Sequence, residues 1–438
     1  RARWEGGAFE GSEEERHRIL AEAMERGAAY IDVEWRAGFD DLIRARDGRG
    51  VIVSLHDFSG VPADLQFRAA AMRRTGAEIV KISVATSSLR DCLPLLDLAR
   101  NNEASGGDGA GSVLIGMGEA GWATRILAGK FRSRWTYAGR AAPGQISLDR
   151  LLREFRFRSI RRDTAVYGVV GSPVAHSVSP AMHNAAFAAL GIDAVYVPLR
   201  ASTPDDFMSF AEAIGLNGAS VTAPFKPALA AIVDGGDPVV KRLGALNTIR
   251  RARDGWTGIN TDVRGFLAPL AGRIDLAGCR AAILGAGGAA RAVAAALGGE
   301  GAIVSVFARD DNQARAVASL AGGAGFSGLP ARDSWELLVN TTPVGTSPRV
   351  NDTLVAPDDL AGAAGRFVYD LVYNPLETRL LRDAATAGCD TISGLDMLAA
   401  QAALQFEWWT GQPAPKAVMR QAALAALKTT EVSGLSGE

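Results

Sequence analysis

The most informative stretch of this sequence is Ala281-Ala282-Ile283-Leu284-Gly285-Ala286-Gly287-Gly288-Ala289-Ala290-Arg291. Its first four residues are typical of a buried strand, an alanine-rich helix follows the glycines, and residues 303–308 predict a second strand. Glycines between a strand and a helix let backbone amides approach a pyrophosphate at the positive N-terminus of the helix. Since strand, loop, helix and second strand occur in order, the segment predicts a dinucleotide-binding βαβ unit rather than merely a tight turn.

The end of the second strand bears on the choice of cofactor. It reads Ala308-Arg309-Asp310, and Arg309 stands 24 residues after Gly285, about where such units recognise the ribose. Arg309 would hold a 2′-phosphate, whereas Asp310 would repel one. The pair therefore favours NADP over NAD and leaves NAD possible.

Length and charge limit the classes of partner. The chain has 438 residues, with 47 Lys and Arg against 48 Asp and Glu and a formal charge of −1. This length predicts two or three cores. Near-neutral charge without a basic run argues against nucleic acid or an anionic membrane as the main partner and leaves small molecules. Nothing in the composition indicates the oligomeric state.

Location and metal content follow from other counts. No apolar run reaches the ~18 residues that a membrane helix needs, and Arg1-Ala2-Arg3-Trp4-Glu5 does not resemble a signal peptide. The three cysteines are far apart, which is typical of a reducing compartment, so we expect a cytoplasmic protein. The four histidines show no spacing typical of metal ligands, so we expect no metal.

Strand-like runs divide the chain into segments. Five of them, at 30–35, 51–58, 79–85, 112–117 and 135–138, alternate with helical stretches, which predicts parallel βα units of an open sheet or a (β/α) barrel over residues 1–155. A barrel has eight strands, so we expect about three units of such a barrel to precede Arg1.

The later part of the chain predicts two further regions. A basic, aperiodic linker at 153–164 precedes them. Residues 165–270 and 395–427 are predicted to form one lobe, and residues 271–394 a Rossmann nucleotide-binding domain. Within the first lobe Ser179 is a candidate N-cap for a helix at 180–190, and Asp254-Gly255 predicts a hairpin.

Two charged residues follow predicted strands of this lobe. Lys226 and Asp262 both stand just beyond a strand end, where sheets of parallel strands expose side chains to a crevice. A lysine beside a carboxylate can act as a general acid/base for the interconversion of a carbonyl and an alcohol. Most lysines are solvated surface charges, however, and a separation of 36 residues does not place the two side chains together.

A set of motifs in this region is specific when taken together. They are Gly171-Ser172-Pro173-Val174-Ala175-His176-Ser177-Val178-Ser179-Pro180, Val221-Thr222-Ala223-Pro224-Phe225-Lys226, Gly244-Ala245-Leu246-Asn247-Thr248, Asn260-Thr261-Asp262, the glycine-rich segment, Tyr373-Asn374-Pro375-Leu376-Glu377-Thr378 and Gln401-Ala402-Ala403. Residues from about 165 to 427 thereby resemble the shikimate dehydrogenase family. The resemblance implies a two-lobe fold with one lobe for shikimate and one for NADP.

The resemblance also implies roles for particular residues. The implied ligands of the shikimate hydroxyls and carboxylate are Ser177, Ser179, Thr222, Asn247, Asp262, Tyr373 and Gln401. The implied catalytic pair is Lys226 with Asp262. The implied cofactor contacts are Gly285, Ala286, Gly287, Gly288, Ala289, Arg309, Leu371, Gly394 and Met397.

The chain departs from this family at two places. The usual Asn-Arg-Thr of the ribose site is Ala308-Arg309-Asp310, and the second basic residue expected one turn later is Gln313. We therefore expect a reduced affinity for NADP. Ser220 stands where many members have Asn, and we expect it to keep a polar contact.

The N-terminal segment contains a second candidate site. Lys81 lies within a predicted strand, where desolvation would favour amine chemistry through a Schiff base, and His56 ends the preceding strand. Spacing alone favours ordinary buried polar packing over this chemistry. The motifs Arg1-Ala2-Arg3-Trp4-Glu5-Gly6-Gly7, Val80-Lys81-Ile82 and Ala141-Ala142-Pro143-Gly144-Gln145 make residues 1–153 resemble the later part of type I 3-dehydroquinate dehydratases.

This second resemblance implies another set of roles. Lys81 is implied as the Schiff-base nucleophile and His56 as the general acid/base, with Arg125 and Gln145 as substrate ligands and Glu5 and Arg1 as polar supports. Ala141 replaces a serine of the family's lid loop. The family's first strands, which carry an acidic and a basic site residue, would precede Arg1, so we expect the dehydratase module of this chain to be incomplete.

The whole chain thus resembles a fused dehydratase and dehydrogenase of the shikimate pathway. The expected activity is NADP-dependent reduction of 3-dehydroshikimate to shikimate, with an upstream module for dehydration of 3-dehydroquinate. One alternative is an NAD-dependent quinate/shikimate dehydrogenase. Another is a non-catalytic metabolite sensor, against which the retention of Lys81, His56, Lys226 and Asp262 argues.

Overall fold

The computed structural model describes residues 1–104, 110–139, 144–233 and 236–434. In chain order the strands are β1 (Ile31–Glu34), β2 (Val51–Asp57), β3 (Ile79–Ala85), β4 (Gly111–Met117), β5 (Ala165–Gly171), β6 (Ala194–Arg200), β7 (Gly218–Val221), β8 (Thr248–Ala252), β9 (Gly255–Ile259), β10 (Arg280–Leu284), β11 (Ile303–Ala308), β12 (Ala324–Ser327), β13 (Leu337–Asn340), β14 (Phe367–Asp370) and β15 (Asp390–Ser393).

Helices follow most of these strands. They are α1 (Glu13–Glu25), α2 (Asp40–Arg44), α3 (Leu65–Arg74), α4 (Leu93–Ala104), α5 (Trp122–Ile126), α6 (Ser179–Ala189), α7 (Pro204–Ile214), α8 (Lys226–Ile232), α9 (Pro238–Leu243), α10 (Asp262–Leu267), α11 (Gly288–Gly299), α12 (Asp311–Ala318), α13 (Arg379–Thr386), α14 (Gly394–Thr410) and α15 (Lys416–Gly434). No helix in the described part of the chain has both the length and the apolar character of a membrane span.

The chain packs into two compact units. The first contains Arg1–Ala175 and Asp193–Leu216, and the second contains His176–Ile192 and Asn217–Glu438. Each unit is built around parallel strands whose apolar side chains are buried, as expected for α/β architecture.

A parallel sheet in the order β1-β2-β3-β4 forms the centre of the first unit. These strands confirm the first four sequence predictions in this segment. The fifth prediction is wrong, because around residues 135–138 the chain forms only isolated bridges at Ser133 and Ala138. Trp135 instead packs edge to face on Tyr30, with ring centroids 5.6 Å apart. The aromatic run that suggested a strand is therefore explained by side-chain packing.

The first unit also contains β5 and β6, which pair in parallel.

The second unit contains a six-stranded parallel sheet in the order β12-β11-β10-β13-β14-β15. The chain reverses direction across the sheet between β10 and β13, which is the switch point where doubly wound folds bind nucleotides. β10, α11 and β11 confirm the predicted βαβ unit. One face of the sheet packs on α11 and α10 through residues such as Val293 and Phe266, and the other packs on α13.

Antiparallel strands β7, β8 and β9 and the helices α6, α14 and α15 complete the second unit. The predicted hairpin is confirmed, and its pairing ends at Ala252 with Gly255. Trp409 of α14 donates from Nε1 to the carbonyl of Ile249 in β8 at 3.0 Å, so this helix packs on the sheet.

The predicted cap of α6 is wrong. Ser179 is the first residue of this helix rather than its N-cap, which is Val178. The hydroxyl of Ser177 takes over the polar contact, because it accepts a hydrogen bond from the Ser179 amide at 3.2 Å.

Candidate active sites

Lys226 and Asp262 meet although 36 residues separate them. Lys226 begins α8 shortly after β7, and Asp262 begins α10 shortly after β9. The Lys226 Nζ lies 2.6 Å from Asp262 Oδ2, and the two side chains are 20% and 9% exposed. The ammonium is thus held by a nearly buried carboxylate while part of the lysine stays accessible. This geometry suits a proton donor that must reach a bound ligand.

Asn247 and Gln401 surround the same carboxylate. Asn247 Nδ2 donates to Asp262 Oδ1 at 2.8 Å and to Gln401 Oε1 at 3.3 Å. Gln401 can come this close because α10 has Gly265 opposite it; a Cβ at Gly265 would lie 2.6 Å from Gln401 Cβ. The structure therefore brings together four of the residues singled out from the sequence. It also adds Thr261, whose amide donates to Asn247 Oδ1 at 2.8 Å.

The remaining predicted shikimate ligands lie on separate elements. Ser177 and Ser179 are at the start of α6, Thr222 directly follows β7, and Tyr373 follows β14. Burial raises the pKa of the Tyr373 phenol, so this group is a neutral hydroxyl donor at ordinary pH. The joint role of these hydroxyls stays a prediction.

The glycine loop has the geometry of a phosphate cradle. Gly285 has a φ of +105°, and a Cβ there would lie 2.7 Å from Thr341 Oγ1, so the turn requires glycine. Gly287 is the N-cap of α11 and Gly288 its first residue. A Cβ built on either glycine meets no described atom within 4 Å, so the N-terminus of α11 is open to a ligand. Ala286 and Ala289 flank this open surface.

The hydrogen bonds of Asp310, which lies between β11 and α12, show its structural role. Its Oδ1 accepts from the amides of Asn312 at 2.8 Å and Gln313 at 3.2 Å, and its Oδ2 accepts from Gln313 Nε2 at 3.2 Å. Asp310 is therefore the N-cap of α12, which explains an acidic residue at this position without a ribose contact. Arg309 is exposed beside it.

Leu371, Gly394 and Met397 come together at the carboxyl ends of β14 and β15. A Cβ at Gly394 would lie 2.3 Å from the carbonyl oxygen of Leu371, so only glycine allows this approach. Met397 is 8% exposed and packs in the same core as Leu371.

Because α10 also packs on α11, the helix that presents Asp262 lies against the helix that follows the glycine loop.

The first unit contains the Lys81 site. Lys81 Nζ lies 2.7 Å from Asp32 Oδ2 and 4.7 Å from the ring centroid of Tyr137. Its side chain is 11% exposed, as expected for a lysine of β3 in a sheet interior. Asp32 and Tyr137 were not among the sequence predictions; alternation along β1 placed Asp32 on a defined face, but only the pairing of β1, β2 and β3 brings it to Lys81.

Glu5 positions His56 in the same unit. The Glu5 carboxylate accepts a hydrogen bond from the His56 backbone amide, and its Oε1 lies 3.5 Å from His56 Nδ1. Both side chains are almost fully buried. Arg1 is exposed, donates to the Gly6 carbonyl and lies over the Phe58 ring. Arg1 thus contacts the surroundings of Glu5 rather than His56 itself.

Arg125 and Gln145 lie along residues 137–139. Arg125 Nη1 is 3.4 Å from the Tyr137 carbonyl, and burial lowers the pKa of its guanidinium to about 10. Gln145 Oε1 would lie 2.9 Å from a Cβ at Gly139. Tyr137 thereby contacts both Lys81 and Arg125. The Ala141 departure lies outside the described residues.

Three family models match the chain. A type I 3-dehydroquinase model matches residues 1–162, a shikimate dehydrogenase substrate-binding domain model matches residues 169–249, and a shikimate 5′-dehydrogenase C-terminal domain model matches residues 394–424. The matches follow the order of the two candidate sites along the chain.

Individual proteins with similar sequences belong to the same families as these models. A chloroplastic bifunctional 3-dehydroquinate dehydratase/shikimate dehydrogenase from Arabidopsis thaliana is 37% identical over 449 residues, covering 95% of this chain and 73% of that protein. A shikimate dehydrogenase (NADP(+)) from Moorella thermoacetica is 45% identical, covering 59% of this chain and 92% of that protein. The crystal structure of the Thermus thermophilus shikimate 5-dehydrogenase with NADP(H) and shikimate is 37% identical with a TM-score of 0.54, covering 60% of this chain and 99% of that one.

Proposed function

We propose that this chain, which belongs to the family of bifunctional 3-dehydroquinate dehydratase/shikimate dehydrogenases, catalyses the NADP-dependent, reversible reduction of 3-dehydroshikimate to shikimate. The observation that carries the proposal is the pair of Lys226 Nζ and Asp262 Oδ2 at 2.6 Å, on a helix that packs against the glycine-loop helix. A sensor protein would need only to bind its ligand and has no use for such a pair.

In the proposed reaction, bound NADPH supplies the hydride that reduces the ring ketone. Lys226 donates a proton from Nζ to the carbonyl oxygen as it becomes a hydroxyl, and Asp262 keeps the ammonium oriented toward that oxygen. Asn247, held by Asp262 and Gln401, would orient a substrate hydroxyl. The rest of the ring is proposed to be held by Ser177, Ser179, Thr222 and Tyr373. Asp262 is the remaining proposed substrate ligand.

The residues present fit a dinucleotide. The open N-terminus of α11 would hold the pyrophosphate, Arg309 the 2′-phosphate, and the surface made by Leu371, Gly394 and Met397 the nicotinamide. Both Asp310 oxygens have partners without the ribose, because Oδ1 caps α12 and Oδ2 accepts from the Gln313 side chain. NADP is therefore the proposed cofactor.

The upstream module is proposed to dehydrate 3-dehydroquinate. The Lys81 amine would add to the ketone carbon and expel its oxygen as water, forming an iminium ion. His56 would then take a proton from the carbon next to the iminium carbon and pass it to the substrate hydroxyl, which leaves as water, and hydrolysis of the iminium would release Lys81 and the product ketone. Asp32 holds Lys81 before the reaction, and Glu5 holds His56. Arg125 and Gln145 are the proposed substrate ligands, with Arg1 as an outer support.

The proposed modules follow the predicted boundaries. Residues 1–155 would form the dehydratase module, residues 165–270 with 395–427 the shikimate-binding lobe, and residues 271–394 the NADP-binding domain. We also propose a cytoplasmic location, which is supported by the three free, buried thiols of Cys92, Cys279 and Cys389.

An assay of cofactor oxidation tests the dehydrogenase proposal. The protein is mixed with 3-dehydroshikimate and NADPH, and the absorbance of the reduced cofactor is expected to fall. Repeating the initial rates with NADH tests the alternative of an NAD-dependent quinate/shikimate dehydrogenase, which the charge of Asp310 favours. Absence of hydride transfer with either cofactor would support the sensor alternative instead.

A further inference from the structure

Behind the Lys226–Asp262 pair lies a chain of buried hydrogen bonds that runs from Ser220 through Gln405, a residue of α14, to Asp262. Its members are Ser220, Gln405, Thr248, Asn247 and Asp262, and none is more than 8% exposed. Ser220 Oγ donates to Gln405 Oε1 at 2.7 Å, Gln405 Nε2 donates to Thr248 Oγ1 at 2.9 Å, and Thr248 Oγ1 donates to Asn247 Oδ1 at 2.8 Å. Asn247 Nδ2 then donates to Asp262 Oδ1 at 2.8 Å.

Backbone groups fix the direction of each bond in this chain. Asn247 Oδ1 accepts from the Thr261 amide, which can only donate, so the Asn247 nitrogen must face Asp262. Gln405 Nε2 also donates to the Asn247 carbonyl at 3.1 Å, which can only accept. The Thr248 hydroxyl receives the Gln405 proton, so its own proton goes to Asn247 Oδ1.

All the donors therefore point one way, toward the Asp262 carboxylate. Aligned hydrogen bonds polarise one another in a buried environment, so the last donor to Asp262 is strengthened by those behind it. The bond from Asn247 fixes the position of Asp262 Oδ1. With Oδ1 held in this way, Asp262 Oδ2 faces the Lys226 ammonium at 2.6 Å.

We propose that Gln405 is a positioning residue of the dehydrogenase site, which acts through Thr248 and Asn247 to keep Asp262 a hydrogen-bond acceptor for Lys226. The inference rests on the proposed dehydrogenase function. Ser220 takes part as the donor to Gln405, which gives its hydroxyl a structural role at a position where many family members have Asn.

Other charged groups near Asp262 are engaged elsewhere. Charged or titratable side chains on the elements around it include Lys226 of α8, Asp237 before α9, Arg291 of α11, Tyr369 of β14 and Asp396 of α14. Arg291 donates to the Leu243 carbonyl, and Asp396 is paired with Arg420. Asp237 accepts from the Asn260 amide, and burial keeps Tyr369 neutral by raising its pKa. At the far end, burial lowers the pKa of His183 to about 3, so this neighbour of Gln405 is neutral at ordinary pH.

The test compares Gln405→Met, Gln405→Glu, Thr248→Val and Thr248→Ser in the full chain. Gln405→Met and Thr248→Val should lower kcat for shikimate oxidation about tenfold, while the KM values for shikimate and NADP change by less than about twofold. Gln405→Glu replaces a donor by an acceptor and should be more severe. Thr248→Ser keeps the hydroxyl and should behave as the parent chain.

A double substitution and a matched control complete the experiment. Gln405→Met combined with Thr248→Val should cost little more than either change alone, since both break one chain. Gln421→Met, on the exposed side of α15, should change nothing. A kcat that stays at the parent value in Gln405→Met and Thr248→Val would overturn the inference, as would independent, additive effects. Lack of turnover in the parent chain would instead refute the dehydrogenase proposal.

Discussion

At the scale of single residues, Asp310 has two properties that can be separated. Its side chain caps α12, and its charge lies next to the proposed 2′-phosphate position at Arg309. Asp310→Ser keeps an acceptor for the cap and removes the charge, whereas Asp310→Ala removes both. We expect both variants to bind NADPH about fivefold more tightly relative to NADH. Only Asp310→Ala should lose about 1 kcal/mol of stability with the cap.

Cofactor titrations and thermal unfolding measure these two effects independently. The gain in NADPH affinity should shrink at high salt, because exposed charges are screened. If the ratio of NADPH to NADH affinity is the same in the parent and in both variants, Asp310 has no part in cofactor choice.

His183 predicts how the stability depends on pH. It is fully buried, and burial lowers its pKa from 6.5 to about 3. As pH falls below 6.5, the unfolded chain binds a proton that the folded chain does not, so stability falls progressively down to about pH 3. Between pH 7 and pH 5 the loss from this residue is about 2 kcal/mol.

Urea unfolding at pH 7 and pH 5 tests this. His183→Asn has no titrating group and should lose about 2 kcal/mol less than the parent chain between these two pH values. His176→Asn is the control, because it removes an exposed histidine. Equal pH dependence in His183→Asn and the parent would contradict the assigned burial effect.

At the scale of elements, Asp206 of α7 joins two segments of the first unit. It is 2% exposed and accepts from the amides of Leu89 at 3.2 Å, Arg90 at 2.7 Å and Ser202 at 2.8 Å. Leu89 and Arg90 lie in the loop that leads from β3, the strand of Lys81, into α4. α7 therefore helps to hold the end of the Lys81 strand.

Removing this carboxylate should loosen that loop. Asp206→Ala leaves three amides without their acceptor, and we expect a loss of about 2–3 kcal/mol of local stability. Hydrogen exchange should show this as faster exchange at the Leu89 and Arg90 amides. Asp205→Ala, one residue earlier and exposed, is the control. Unchanged exchange at both amides in Asp206→Ala would show that another group holds the loop.

Helices and strands could be predicted from the sequence where the residues of a single segment are enough to determine its secondary structure. The βαβ unit around Gly285 and the first four strands were predicted in this way, because apolar runs and glycines act locally. Residues 135–138 were mispredicted, since their aromatic side chains serve packing rather than strand pairing. Ser179 was mispredicted as a cap because the chain enters α6 one residue earlier.

Contacts between distant residues were beyond the sequence pattern. Lys226 and Asp262 could be recognised as strand-end residues, but their 2.6 Å contact depends on how α8 and α10 pack. Gln405 and Thr248 were not among the predicted site residues, and their 2.9 Å contact depends on how α14 packs on β8. Asp32 reaches Lys81 only through the register of three strands. Single-sequence periodicity carries none of this information.

At the scale of the whole molecule, the two proposed reactions use separate sets of side chains. Lys81 and its contacts, Asp32 and Tyr137, belong to the first compact unit, while Lys226 and Asp262 belong to the second. The chemistry at each site should therefore survive loss of the lysine at the other.

Crossed substitutions in the full chain test this independence. Lys81→Ala should abolish trapping of 3-dehydroquinate by borohydride and leave shikimate oxidation within about twofold, because no proton donor of the second site is touched. Lys226→Ala should lower shikimate turnover about 10²–10⁴-fold, the usual share of a general acid, while NADPH binding and borohydride trapping persist. Lys416→Ala, at an exposed position of α15, is the control for loss of a lysine. If trapping survives Lys81→Ala, another lysine forms the imine; if either substitution removes both activities, the two sites depend on each other and the separation fails.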